Sequence, residues 1–449
     1  MNQIFSILGR WAAVMAVVLL IAGAGVQAHI VGVTGTSFTF TAKADHLSTG
    51  EGGSVYFWGY ALGTGRAQYP GPTLIVNQND VVTVTLYNGL PASSGNVSIV
   101  FPGQVVNATG GTAGLLTQEA PPDGLTAVSY TFTASRPGTY IYHSGSQQEL
   151  QVEMGLAGVL IVRPTGYVAG DPATWRAYDD PVSEYDSSYG HEWLFVLSEM
   201  DSRIHDKVEY YGPSGLTGTD YLTNYFPNYF FMNGRTAPDT MLANFVPWLP
   251  TQPYSSLPQM HPGDMLLVRM ATIGRDFHPF HTHGNHTRVI ARDGRLLESS
   301  PGVSGPDITP EMFTIPAVPG ETVDGLYTWT GKGLNWDIYG TGPDYVHDCV
   351  DNDGDGYDDA TLEWCADHGK PFPVVLPENQ NLTFGAFYSG SPFLGTLGAL
   401  PPGEGGLNPY AGYTYMWHSH TEKELINYGI FPGGMLTMLI IQPHGVPVE

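Results

Sequence analysis

Short runs of alternating apolar and polar residues, separated by glycine, proline and Asn/Asp, recur along the chain and predict β-strands joined by turns. They fall into two sets that share an order of signals. The first set contains "YPGPTLIVNQNDVVTVTLYN", "SYTFTASRPGTYIYHSG" and "MGLAGVLIVRP". The second contains "LPQMHPGDMLLVRM", "FTIPAVPGETVDGLYTW", "YAGYTYMWHSH" and "GGMLTMLIIQP". Each set closes on a glycine-led apolar strand. The pattern predicts an all-β chain built as two antiparallel sandwiches or barrels with Greek-key connections. The first domain is expected at residues 29–165 and the second at 228–445. A connector at 166–227 contains one strand, "HEWLFVLSEM". The second set is longer, and the excess between Gly331 and Asn408 reads as inserted loops.

The N-terminus breaks this pattern. Arg10 precedes an apolar run from Trp11 to Gly25, and Val26-Gln27-Ala28 fits a small-residue cleavage site. Residues 1–28 are therefore expected to be a cleavable signal peptide, and the mature chain secreted or periplasmic. The run is short for a span of roughly 20 residues, and no later segment is apolar enough to cross a bilayer. The 449 residues carry 42 acidic and 17 basic side chains, a formal net charge of −25. A field of that sign repels nucleic acid and anionic membrane and favours metal ions as partners.

Histidines supply the candidate chemistry. "RDFHPFHTHGNHTRVIARDG" holds His278, His281, His283 and His286, and "YMWHSH" holds His418 and His420. Two histidines two positions apart on a strand share a face, so His281 with His283 and His418 with His420 form two ligand pairs. His143 in "YIYHSGS" occupies the comparable place in the first set. Imidazole binds copper, zinc, iron or nickel. Two such pairs favour metal ligation over hydrogen-bonded core histidines.

"HPFHTHG" followed downstream by "HSH" resembles the C-terminal half of multicopper oxidases, which read HPxHxHG and then HCH. "YPGPTLIVNQND…VTLYN" and "NGRTAPDT" look like the starts of cupredoxin domains in that family. The resemblance covers most of the mature chain, with two cupredoxin-like domains in place of the usual three. It implies a type 1 copper held by the first His of HPxHxH, the Cys of HCH and a His five residues later, together with a trinuclear centre of four HxH pairs. On this chain His278 fits the first type 1 ligand, but Ser419 replaces the cysteine and Glu424 the second histidine, so no blue site is expected. In the first HxH pair Val100-Phe101-Pro102-Gly103 replaces HWHG, and Gly145 replaces the partner of His143. That leaves five of the eight imidazoles: His143, His281, His283, His418 and His420. The resemblance thus implies a remodelled, weakly coloured copper site, with zinc as the other candidate metal. Two-domain relatives often form trimers with the metal centre between subunits, so a homo-oligomer is expected.

A separate signal lies in "HDCVDNDGDGYDDATLEWCADHGK" at 347–370. Asp351, Asp353, Asp355 and Asp359 hold positions one, three, five and nine of an oxygen-ligand loop, with Gly356 at six and the Tyr357 carbonyl at seven. Leu362 occupies position twelve, and Glu363 comes one residue late. Cys349 and Cys365, the only cysteines, bracket the loop and are expected to form a disulfide in a secreted chain. The loop, within an insert at 347–367, looks like those of thrombospondin type 3 repeats and predicts structural calcium. Met260, Met265, Met270 and Met435 read as core. Three functions follow as expectations. One is an oxidoreductase acting on metal ions or small phenols, one a non-catalytic copper-binding or storage protein, and one a calcium-stabilised extracellular scaffold.

Overall fold

The computed structural model describes residues 30–180, 185–332, 337–338, 346–370, 390–392, 412–442 and 446–448. The expected signal peptide lies outside these residues, as does much of the inserted stretch before Asn408.

The first unit contains β1 (Ser37–Ser48), β2 (Ser54–Leu62), β3 (Leu74–Asn77), β4 (Val81–Asn88), β5 (Asn107–Gly110), β6 (Val128–Thr133), β7 (Gly138–His143) and β8 (Ala157–Arg163). One sheet runs β2-β1-β4-β6-β5, and the facing sheet joins Val33–Thr34, β3, β8 and β7 in that order. The alternation of β4 explains its place: Val82, Val84 and Leu86 are buried in the core with Phe40, Trp58 and Tyr142. The threonines between them stay partly exposed.

The second unit contains β9 (His191–Met200), helix α1 (Ser202–Tyr211), β10 (Tyr229–Met232), β11 (Met265–Thr272), β12 (His278–Thr282), β13 (Thr287–Arg292), β14 (Thr314–Ala317), β15 (Thr322–Thr328), β16 (Tyr413–Ser419) and β17 (Leu436–Ile441). One sheet runs β10-β9-β11-β15-β13, and the other runs β17-β16-β12-β14. The strand read from sequence as part of the connector, β9, therefore lies inside the second unit's sheet. The chain is all-β in its layers, with cupredoxin-like sandwiches as expected. The sheets are not purely antiparallel, because β1 with β4, β3 with β8 and β9 with β11 pair in parallel.

Every residue of β9 is buried. Its Trp193, Phe195 and Leu197 enter the second core. Leu194 and Val196 point the other way and pack with Ile141, Val159 and Ile161 of the first unit. A strand covered on both faces loses its polar alternation, which is why its sequence reads as one apolar run. Charges are sealed into this interface. Arg163 pairs with Glu192, and Arg269 reaches Glu192 at 3.2 Å and Asp324 at 3.4 Å. Thr139 donates its hydroxyl to Asp324 at 2.6 Å. Buried charges are tolerated only when paired in this way.

Candidate metal centre

Strands β12 and β16 pair antiparallel, with His281 opposite His418 and Phe280 opposite Ser419. Residues directly opposite in such a pair project from the same face. His281, His283, His418 and His420 accordingly gather on one side, while Phe280 and Trp417 enter the core on the other. The ligand nitrogens of His281, His283 and His418 all lie within 4.8 Å of one another. His418 Nε2 is 3.2 Å from His283 Nε2. The exposed His420 ring packs 4.7 Å from His281, centroid to centroid.

Neighbouring oxygens orient these rings. His418 Nδ1–H donates to the Ser419 carbonyl at 2.7 Å, which fixes Nε2 as its lone-pair nitrogen. Thr314 Oγ1 holds His281 Nδ1 at 2.6 Å. Burial, reinforced by His283, His418 and His420, pushes His281 down to about 3. Burial likewise lowers His418, against the hydrogen bond to Ser419. His281 and His418 are thus neutral near pH 7, the form that ligates metal. A three-imidazole donor set fits copper or zinc.

His143 stands apart. Among the described residues, the contacts that gather the cluster do not include it. Its Nδ1 faces the Ser144 carbonyl at 2.9 Å, and burial lowers its pKa. Val100, where the resemblance places a histidine, bridges His143 backbone to backbone, its N–H donating to the His143 carbonyl at 2.8 Å. A Cβ on Gly145 would meet Val100 Cγ1 at 2.7 Å. The Val100 side chain thus fills the space that a side chain at position 145 would need.

His278, expected among the metal ligands, lies between two carboxylates. It is fully buried, with Nε2 2.8 Å from Glu199 Oε2 and Nδ1 3.0 Å from Glu424 Oε2. Burial alone would lower its pKa, but hydrogen bonds to the two carboxylates outweigh it and push it up to about 9. Both nitrogens of an imidazolium are donors, so no lone pair remains for a metal. Ser419, in the cysteine's place, donates to Glu424 Oε2 at 2.5 Å. The position that the resemblance gives to a type 1 copper is thus a closed chain of Glu199, His278, Glu424 and Ser419. Glu424 was visible from the motif. Glu199 was not, because it sits 79 residues upstream of His278 in a strand whose sequence announces only burial.

In the insert, Asp351, Asp353 and Asp355 bring their carboxylates within 4.8 Å of one another. Asp351 accepts the Gly354 and Gly356 amides at 2.6 and 2.9 Å. Tyr357 pairs across a two-stranded ribbon with Trp364, and Asp359 stands outside the carboxylate group. Cys349 and Cys365 form the expected disulfide, with Cα atoms 5.4 Å apart. Met260, Met270 and Met435 are core residues.

Residues 62–166 match a family model described as multicopper oxidase. A stretch of 158 residues is 31% identical to the iron transport multicopper oxidase fetC of Epichloe festucae, covering 34% of this chain and 21% of that protein. The chain therefore spans about a fifth of the length of that relative. Over 274 residues it is 26% identical to the copper-containing nitrite reductase of Pseudomonas chlororaphis, covering 60% of this chain and 65% of that one. The blue copper oxidase from Nitrosomonas europaea superposes with a TM-score of 0.51 at 17% identity, over 90% of this chain and 85% of that one, a likeness of fold. Among the described residues no helix is long and apolar enough to cross a membrane.

Proposed function

We propose that this chain, whose residues 62–166 match the multicopper oxidase family model, is a secreted copper-binding protein whose imidazole cluster retains the metal while its electron-collecting site has become a buried ion network. One observation carries this reading. The ring nitrogens of His281, His283 and His418 converge, whereas both nitrogens of His278 are held by carboxylates. Bound copper would supply one-electron redox chemistry at the cluster. The residues around it orient the rings through Thr314 and the Ser419 carbonyl and exclude water on the core side. Without a relay through His278 and a thiolate, any oxidation must draw electrons from a reductant that reaches the cluster itself, at the exposed His420. Iron(II) and a simple phenol are the reductants to try, since the relatives include an iron transport oxidase and laccases.

The test is elemental analysis with oxygen uptake. Wild-type protein should contain copper and lack intense blue colour, and His281→Ala/His283→Ala should lose the metal. Unchanged copper in the double variant would sink the assignment. Copper without oxygen uptake would select the second reading, copper storage, which the His278 network favours.

The acidic loop supports structural calcium as an additional role. Calcium should raise the melting temperature of wild-type protein and leave Asp351→Asn/Asp353→Asn unaffected. An identical response in both would remove calcium from the account.

A further inference from the structure

The disulfide-closed insert gathers a second donor cluster, made of nitrogen as well as oxygen. His347 Nε2 lies 2.6 Å from Glu363 Oε1. His368 Nδ1 lies 3.2 Å from the same oxygen and 3.8 Å from Asp337 Oδ2. The two imidazole centroids are 4.8 Å apart at an interplanar angle of 74°. The side chains of Glu363 and Asp337 are each only 3% exposed.

We propose that His347, His368 and Glu363, whose ligand atoms all lie within 4.8 Å of one another, form a zinc site with Asp337 beside it, distinct from the histidine cluster of β12 and β16 and from the acidic loop. Two imidazoles and a carboxylate are a three-ligand set that zinc takes, with its fourth position left to water or to Asp337. Calcium requires six to eight oxygens and disfavours nitrogen, so it belongs to the all-oxygen loop instead.

The local fold is built to hold this set. His347 lies two residues before Cys349 and His368 three after Cys365, so the disulfide clamps both rings from outside. Glu363 sits on the ribbon opposite Asp358, which fixes its backbone. Its carboxylate also receives the Thr361 hydroxyl at 3.2 Å. Asp337 Oδ2 accepts the Gly369 amide at 2.9 Å, and the Asp337 amide donates to the Lys370 carbonyl at 2.8 Å. These are the supporting contacts that orient metal ligands. A small cavity lined by Asp337, Glu363, Trp364 and Asp367 borders the group. The arrangement also accounts for the residue that comes one place late in the acidic loop. Glu363 serves the imidazoles, not the calcium positions.

The experiment uses the full mature chain, disulfide intact, carrying His281→Ala/His283→Ala so that the first cluster contributes nothing. After dialysis against a chelator, zinc chloride is titrated by calorimetry, and bound zinc is counted by elemental analysis. We expect one zinc per chain, and its loss on adding His347→Ala/His368→Ala. Glu363→Gln, which keeps shape and hydrogen bonding, should weaken binding by more than ~10-fold, the least that loss of even a supporting contact costs. X-ray absorption should show a nitrogen and oxygen shell with no sulfur. Circular dichroism and intact mass confirm folding and the disulfide. No zinc uptake in the starting variant would overturn the proposal. So would uptake that neither the histidine pair nor Glu363→Gln alters.

Discussion

With Glu199 on one nitrogen and Glu424 on the other, His278 carries a positive charge between two buried carboxylates at neutral pH. Removing one member of such a group leaves charge buried without a partner, which costs roughly 3–5 kcal/mol. His278→Ala should therefore lower stability by about that amount in chemical denaturation, while copper per chain stays unchanged. A fall in copper would restore His278 to the ligands. The pH dependence has a definite sign. The ordinary value is 6.5 and the folded value is raised to about 9. The contribution is complete below 6.5 and is lost as pH climbs through about 9, over a window worth at most about 3 kcal/mol. This component of alkaline destabilisation should vanish in His278→Ala. The motif made the residues at 278, 419 and 424 legible, because a changed ligand stands out against a fixed spacing. The partner Glu199 was invisible, since nothing in a primary sequence records which distant carboxylate shares a core with a given imidazole.

At the level of strands, register does the positional work. Opposing His281 to His418 sends four imidazoles to one face and Ser419, beside Phe280, to the other. The HxH spacing and period-two alternation made this face legible from the sequence. Parallel pairings such as β9 with β11 were not, because alternation reveals which face is buried and not which strand lies alongside. For the same reason β9 read as connector: covered on both sides, it offers no alternation to interpret. Ser419→Cys places a thiol on the core face, but its neighbour there is the Glu424 carboxylate rather than a second imidazole. Copper-loaded Ser419→Cys should therefore stay without intense visible absorption, and Ser419→Cys/Glu424→His should gain it. A blue Ser419→Cys single variant would show that Glu424 does not block the site.

Across the whole molecule, the two units meet through Ile141, Val159, Leu194 and Val196, and through the Arg163, Glu192, Arg269 and Asp324 charges. His143 lies outside the group that His281, His283 and His418 form. If it joins that centre, a second copy of the chain supplies it, as in the expected trimer. Sedimentation of the mature protein should give about three chains, and His143→Ala should reduce copper per chain. A monomer whose copper content ignores His143→Ala would remove His143 from the centre.

The close packing of Val100 on Gly145 also limits what position 145 can carry. A side chain at 145 meets Val100 Cγ1 at 2.7 Å and Ser98 Oγ at 3.2 Å. Overpacking of this kind costs typically about 1–3 kcal/mol. Gly145→His should therefore lower stability by about that amount while valine remains, and Val100→Ala should recover part of the loss, as read by chemical denaturation. Equal loss in both backgrounds would show that Val100 does not set the limit. The vacancy beside His143 is thus already occupied, and a second imidazole enters it only after the valine has made room.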